Sequence, residues 1–140
     1  MLTKHPERCR YPHGHTRTVE VVVKGDELDD RGMLADFTAL KLAVGEFIER
    51  FDHAMLVSAD EPLLPALRDM YPEGVIVFKE GEPTTEALAR HIYDNVEHLF
   101  AEGCERKSAS GVSYSIAAGR VSLERVRVWE TPSTWAEYGV

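Results

Sequence analysis

The residues best suited to chemistry lie near the amino terminus, in the segment CRYPHGH at positions 9–15. His13 and His15 are two residues apart, and such side chains point to the same side of an extended chain. They could bind one zinc ion together, and Gly14 would leave room for the metal. A catalytic zinc usually has three protein ligands, so this pair needs a third. The same pattern is also typical of two half-exposed histidines at the edge of a strand.

Cys9 stands four residues before His13 and adds a thiol to this segment. A thiol near a metal or a protonated histidine can act as a base or a nucleophile. The alternative is that Cys9 is a small buried apolar side chain. Cys104 has no comparable neighbours, and two distant cysteines do not form the disulfide framework of a small secreted protein.

Two further positions carry acid or imidazole groups with a functional interpretation. At Asp52-His53, the histidine would exchange a proton and the carboxylate would orient it, unless His53 only favours the dipole of the helix that ends there. Glu130 follows Val126 and Val128 on the inward side of the last predicted strand, where an unpaired acid is costly. A ring with adjacent N–H and NH₂ groups, as in pterins and guanines, would pair with it. Periodicity equally allows a strand that has reached solvent by Glu130.

Hydrophobic periodicity predicts the elements that position these residues. Alternation from Thr16 to Lys24 predicts a strand, which a turn at GDELDDRG and a returning strand beginning at Met33 and Leu34 would follow. Asp36 is a predicted N-cap for a helix. The buried stripe of that helix is formed by Phe37, Leu40, Val44, Phe47 and Phe51.

The second half of the chain predicts another helix and a hairpin. The helix begins at the segment 83–86, PTTE, and its buried side is formed by Leu88, Ile92, Val96 and Leu99. Residues 54–83 form a long connection with one strand, Val75 to Phe78. Val112 to Ala118, a turn at Gly119, and Leu123 to Glu130 predict a final hairpin. The order indicates an α+β fold with two helices on one face of an antiparallel sheet.

Composition limits the class of protein. A chain of 140 residues that is 44% hydrophobic predicts a single domain over residues 1–140. Its net charge of −8 disfavours nucleic acid as a partner. There is no apolar run long enough to span a bilayer and no apolar core of a signal peptide, so a cytoplasmic location without a membrane partner is expected.

Five segments in this order are similar to one known family: CRYPHGH, GMLADFTALK, FDHAML, PTTEALARHIY and VRVWET. From about Cys9 to Thr131 the chain resembles the 6-pyruvoyltetrahydropterin and 6-carboxytetrahydropterin synthases. The resemblance implies the tunnelling fold, in which a four-stranded antiparallel sheet carries two helices on one face. It also implies assembly into a barrel-like homo-hexamer, a dimer of trimers, with sites at the subunit interfaces.

The resemblance also assigns roles to residues of this chain. In the family, zinc held by three histidines polarises the substrate, a cysteine thiolate removes a proton, an Asp-His pair usually from a neighbouring subunit relays another, and a glutamate anchors the pterin. The matching residues are His13 and His15 for the metal, Cys9 for the thiolate, Asp52 and His53 for the relay, Glu130 for the anchor, and Thr84, Thr85 and Glu86 for the pterin pocket. The third zinc ligand is not identified, and His5 is a candidate.

The gap of three residues between Cys9 and His13 resembles the bacterial branch that makes queuosine and other deazapurines. The implied reaction converts dihydroneopterin triphosphate to 6-carboxytetrahydropterin. Since the family's first zinc histidine has no match, either the first strand is lost, the true start lies upstream, or the protein works without zinc. The alternative function is therefore a zinc-less pterin-binding homologue that lacks synthase activity. Arg10, Arg17 and Lys41 are candidate phosphate partners.

Overall fold

A computed structural model describes residues 1–140 of the chain. A single 3₁₀ turn at Arg8–Arg10 precedes the regular elements. In chain order these are β1 Thr18–Lys24, α1 Phe37–Glu49, β2 Met55–Ser58, α2 Leu64–Met70, β3 Val75–Phe78, α3 Thr85–Glu102, β4 Cys104–Lys107, β5 Ser113–Ile116, β6 Ser122–Thr131 and β7 Thr134–Gly139. No helix is both long and apolar enough to cross a membrane.

The central sheet is antiparallel and has the strand order β1-β6-β7. Thr18 pairs with Trp129 and Val22 with Arg125, and the register shifts after Val22. The α+β class is confirmed, with helices packed against an antiparallel sheet. The sheet has three strands, whereas the resemblance implied four, because the remaining strands form two separate pairs.

Those two pairs lie outside the central sheet. β2 runs parallel to β3, with Met55 opposite Val75, and β4 forms an antiparallel hairpin with β5. The predicted strand from Val75 to Phe78 is confirmed, but β2 and α2 were not predicted within the 54–83 connection. Each has only four or seven residues, too few to show a period. Proline at the start of α2 is tolerated because the first helical N–H groups need no partner inside the helix.

The predicted returning strand at Met33 and Leu34 is wrong. Asp29 organises a turn in which its carboxylate accepts hydrogen bonds from the backbone N–H groups of Arg31 and Met33, at 2.9 and 2.8 Å. The carbonyl oxygen of Leu34 then accepts a hydrogen bond from the Arg120 side chain at 3.2 Å. The backbone groups that a strand would use are therefore satisfied by the side chains of Asp29 and Arg120, and β1 pairs with β6 instead.

The predicted hairpin around Gly119 is also wrong. Both strands exist, but β5 pairs with β4 and β6 pairs with β1 and β7. Periodicity predicts which side of a strand is buried but does not identify the strand with which it pairs. A hairpin between neighbouring strands is the simplest prediction, and here the neighbours pair with other strands.

The two predicted helices form, and each has a side-chain N-cap. The Asp36 carboxylate accepts from the Thr38 N–H at 2.7 Å, and the Thr84 hydroxyl accepts from the Ala87 N–H at 3.2 Å. In α3 the predicted stripe is confirmed for Leu88, Ile92 and Val96, while Leu99 is only partly buried. These side chains pack with Val126 and Val128 of β6 and form the main core.

Phe37 is the exception in the stripe of α1, because 79% of its surface is exposed. It opens the helix, whereas Leu40, Val44, Phe47 and Phe51 pack against the core. The most buried residues of α1 are Ala39 and Ala43, whose small side chains let the helix backbone lie close to the rest of the core. The first residue of α1 therefore lies beyond the part of the core that the rest of the helix covers.

Candidate active site

One cleft of about 1050 Å³ contains every residue to which the sequence analysis gives a catalytic, metal-binding or pterin-binding role. It lies between the segment before β1, the end of α1, the start of α3 and the turn between β6 and β7. The predicted residues that line it are Cys9, His13, His15, Asp52, His53, Thr84, Thr85, Glu86 and Glu130, together with the candidate His5. Four separate stretches of the chain thus meet in one place.

Glu130 occupies the centre of a hydrogen-bonded network in this cleft. Its Oε1 lies 2.9 Å from His15 Nε2, and its Oε2 accepts a hydrogen bond from the Thr85 hydroxyl at 3.0 Å. Its side chain is 32% exposed. The carboxylate therefore faces the cleft and its protein partners, and it does not extend freely into water.

Arg17 completes the network, and sequence reasoning considered it only as a phosphate partner. Its guanidinium donates to the Thr85 hydroxyl at 2.7 Å and lies 3.5 Å from Glu130 Oε1. The other two candidate phosphate partners, Arg10 and Lys41, do not line the cleft. The spacing of the residues could have indicated this role. Arg17 lies two residues after His15 and two before Val19, which packs against the core, so in an extended chain the three side chains point to the same side.

The two histidines of the HxH pattern are adjacent. Their ring centroids are 4.9 Å apart and the rings are nearly perpendicular, at 86°. The Tyr11 carbonyl oxygen lies 2.7 Å from His13 Nδ1 and accepts a hydrogen bond from it, which leaves Nε2 of His13 free for a ligand. By contrast, Nε2 of His15 already lies 2.9 Å from the Glu130 carboxylate.

The donor set as it stands does not fit a three-histidine zinc site. No three His, Cys, Asp or Glu side chains of the 140 residues are grouped so that they could hold a metal ion. His5 lines the same cleft, but its Nδ1 accepts a hydrogen bond from the Glu7 N–H at 3.1 Å.

Cys9 is a half-buried free thiol on the 3₁₀ turn. Its carbonyl oxygen accepts a hydrogen bond from the Leu2 N–H at 2.8 Å. The amino-terminal segment is tied to the 54–83 connection, where Thr3 donates to the buried Glu61 at 2.5 Å and Lys4 pairs with Asp60 at 2.9 Å. The long connection therefore supports the segment that carries the thiol.

Asp52 and His53 follow α1 at the mouth of the cleft. His53 Nδ1 lies 2.9 Å from Asp52 Oδ2, and the histidine side chain is 93% exposed. His53 adopts a positive φ of 54°, which is uncommon for a residue other than glycine and turns the chain sharply after the helix. The dyad is formed, and in a single chain it faces solvent.

An α+β fold that gathers a thiol, paired imidazoles and an inward carboxylate in one cleft defines a small-molecule site. The family model described as 6-pyruvoyl tetrahydropterin synthase matches residues 1–139. The chain is 33% identical to a 6-carboxy-5,6,7,8-tetrahydropterin synthase of Aquifex aeolicus, covering 96% of this chain and 78% of the relative. It is 39% identical to the Bacillus subtilis protein of the same name, covering 93% and 69%. The chain belongs to the 6-pyruvoyl tetrahydropterin synthase family.

Solved structures support the same fold. A crystal structure of an uncharacterized protein from Wolinella succinogenes matches with a TM-score of 0.62 and 24% identity, covering 94% of this chain and 80% of that one. The 6-pyruvoyl tetrahydropterin synthase of Plasmodium vivax matches with a TM-score of 0.61 and 16% identity, covering 91% and 82%. At these identities the likeness concerns the fold alone.

Proposed function

We propose that this protein is a 6-carboxytetrahydropterin synthase, a lyase that converts dihydroneopterin triphosphate to 6-carboxytetrahydropterin with loss of triphosphate and a two-carbon fragment. The observation that carries the proposal is the position of Glu130, held inside the same cleft as Cys9 and the two adjacent histidines. Relatives of that name at 33% and 39% identity support the choice of reaction.

Glu130 would recognise the pterin ring. A carboxylate matches the adjacent N–H and NH₂ groups of the ring with two parallel, charge-assisted hydrogen bonds. Thr84, Thr85 and Glu86 line the cleft at the start of α3, where backbone N–H groups and a hydroxyl are available to the ring's acceptors. Burial of the ring against these groups fixes which end of the substrate faces the thiol.

Cys9 and the Asp52–His53 pair would move the protons. Cys9 is the base that removes a proton from the substrate's side chain, and His53, oriented by the Asp52 carboxylate, exchanges a second proton. Exposure of His53 in the single chain suits a group that is completed by substrate or by a neighbouring subunit. Zinc, a hexamer, a cytoplasmic location and a place in queuosine synthesis remain predictions from the resemblance.

Turnover with product identification tests the proposal. The purified protein is incubated with dihydroneopterin triphosphate, and the products are separated and identified by mass. We expect 6-carboxytetrahydropterin from the wild type and a loss of at least about 100-fold in kcat for Cys9→Ala, because a positioned base contributes roughly that factor. Absence of this product, or full activity of Cys9→Ala, would contradict the assignment.

A second candidate is a pterin-binding relative without synthase activity. It is favoured by one observation, namely that His13 and His15 have no third ligand while Glu130 keeps its place in the cleft. This candidate predicts pterin binding with no product from the triphosphate. Detection of turnover would eliminate it.

A further inference from the structure

Arg17 and Glu130 lie opposite one another at the end of the central sheet. Thr18 pairs with Trp129 and Val19 with Val128, so extending the antiparallel register by one residue sets Arg17 against Glu130. Opposite charges that face each other across a strand pair stabilise that pair. The alignment is therefore a consequence of the register of β1 on β6.

The contacts join three elements through these two side chains. Arg17 precedes β1, Glu130 lies at the end of β6, and Thr85 is the first residue of α3. One terminal nitrogen of Arg17 donates to the Thr85 hydroxyl at 2.7 Å, and the other lies 3.5 Å from Glu130. Thr85 in turn donates to the far oxygen of Glu130 at 3.0 Å. The guanidinium and the hydroxyl thus bracket both carboxylate oxygens.

The contacts of Arg17 and Thr85 with Glu130 are strengthened because the three residues are largely buried. The Arg17 side chain is 20% exposed and that of Glu130 is 32% exposed, while Thr85 is 8% exposed as a residue. Charge-assisted hydrogen bonds in such partly dry surroundings are stronger than those at an open surface. The planar guanidinium of Arg17 presents a rigid fork of donors, one to Thr85 and one towards Glu130.

We propose that Arg17 is a positioning residue for pterin recognition, which acts by fixing the carboxylate of Glu130 rather than by binding phosphate. This inference rests on the proposed function. A ring that donates one hydrogen bond to each oxygen of Glu130 competes directly with His15, whose Nε2 lies 2.9 Å from Oε1. Arg17 keeps its place during that exchange, because its short hydrogen bond is made to Thr85 and not to the carboxylate.

Binding of unsubstituted pterin, which carries no side chain and no phosphate, separates the two roles of Arg17. Its dissociation constant is measured by fluorescence titration for wild type, Arg17→Ala, Arg17→Lys and Arg68→Ala. Arg68 is an exposed arginine of α2 outside the cleft and serves as the matched control. We expect the dissociation constant to rise about tenfold in Arg17→Ala. The dissociation constant of Arg17→Lys should lie between those of wild type and Arg17→Ala, because lysine keeps the positive charge but lacks the planar guanidinium that donates to two partners at once.

The outcomes distinguish this inference from the proposed function. If wild type binds no pterin, the proposed function itself fails. If wild type binds the ring and Arg17→Ala binds it equally well, while its KM for dihydroneopterin triphosphate rises, Arg17 is a phosphate contact and the inference is overturned. Thermal melting of each variant identifies any that does not fold, and Arg17→Lys still tests the inference if Arg17→Ala fails.

Discussion

His91 lies among three phenylalanine rings where α1, β3 and α3 meet. Its ring centroid is 5.8 Å from that of Phe47, 5.9 Å from Phe51 and 5.6 Å from Phe78. His91 as a whole residue is exposed, but the rings exclude water from part of its imidazole, and this desolvation lowers the pKa of His91 from its usual 6.5, although the carboxylate of Asp94 opposes that shift. The neutral imidazole is therefore the form that the folded protein favours.

This preference predicts how stability depends on pH. The unfolded chain takes up the His91 proton at a higher pH than the folded protein does, so stability falls as pH drops below the unfolded value of about 6.5. We expect His91→Phe to lose less unfolding free energy than wild type between about pH 7.5 and about pH 5.5, as measured by urea unfolding. The other five histidines are present in both proteins, so the comparison isolates the substituted side chain.

His98 provides the control on the same helix, since its side chain is 73% exposed and lies outside the aromatic cluster. His98→Gln should keep the pH dependence of wild type. An identical dependence in wild type and His91→Phe would show that the surroundings of His91 do not oppose its protonation.

At the residue scale, the sequence identified the chemical groups better than their partners. Cys9, His15 and Glu130 were named from type and spacing, and they meet in one cleft. Periodicity could not decide whether Glu130 faces water, because its environment depends on Thr85 and Arg17, which come from other elements. Long-range contacts of this kind leave no local signal in a single sequence.

At the scale of elements, the junction between α3 and β4 depends on a glycine. Gly103 has a φ of +74°, and a Cβ there would lie 2.6 Å from the Ala118 backbone nitrogen and 2.8 Å from the Ile116 carbonyl oxygen. Gly119 has a similar φ of +67°, but a Cβ there would meet open space. Both positions have a positive φ, and they differ in the steric contacts that a Cβ would make.

We therefore expect alanine to be tolerated unequally at these positions. Gly119→Ala should cost about 1 kcal/mol of unfolding free energy, from the left-handed conformation alone. Gly103→Ala should cost roughly 3 kcal/mol, because the backbone must also move to relieve the clash. Urea unfolding of both variants measures the difference, and equal losses would contradict the close approach of β5 to Gly103.

Local sequence rules predict some of the helices and strands and fail for others. The caps Asp36 and Thr84, the stripe of α3 and the strand at Val75–Phe78 follow from local rules, and all are present. The wrong hairpin and the missing strand at Met33 concern pairing, which depends on the packing of β1 against β6 about 100 residues later. Locally satisfied turns such as that at Asp29 are indistinguishable from strand starts by periodicity.

At the scale of the whole molecule, two features of the single chain bear on assembly. The strands β1 and β7 lie at the two edges of the central sheet, and the Asp52–His53 pair faces solvent at the mouth of the cleft. Open edges can pair with further strands, and exposed site residues can be covered by a neighbour. Both features suit the expected oligomer, in which sites lie between subunits.

If the cleft is a pterin site built around Glu130, the charge of that carboxylate determines how tightly the ring binds. Pterin is titrated against wild type and Glu130→Gln, which keeps the shape of the side chain and removes its charge, and its fluorescence reports binding. We predict saturable binding by wild type and a dissociation constant at least about tenfold higher for Glu130→Gln, since charge-assisted hydrogen bonds to the ring are lost. Equal binding by the two proteins, or none by wild type, would contradict a pterin site at Glu130.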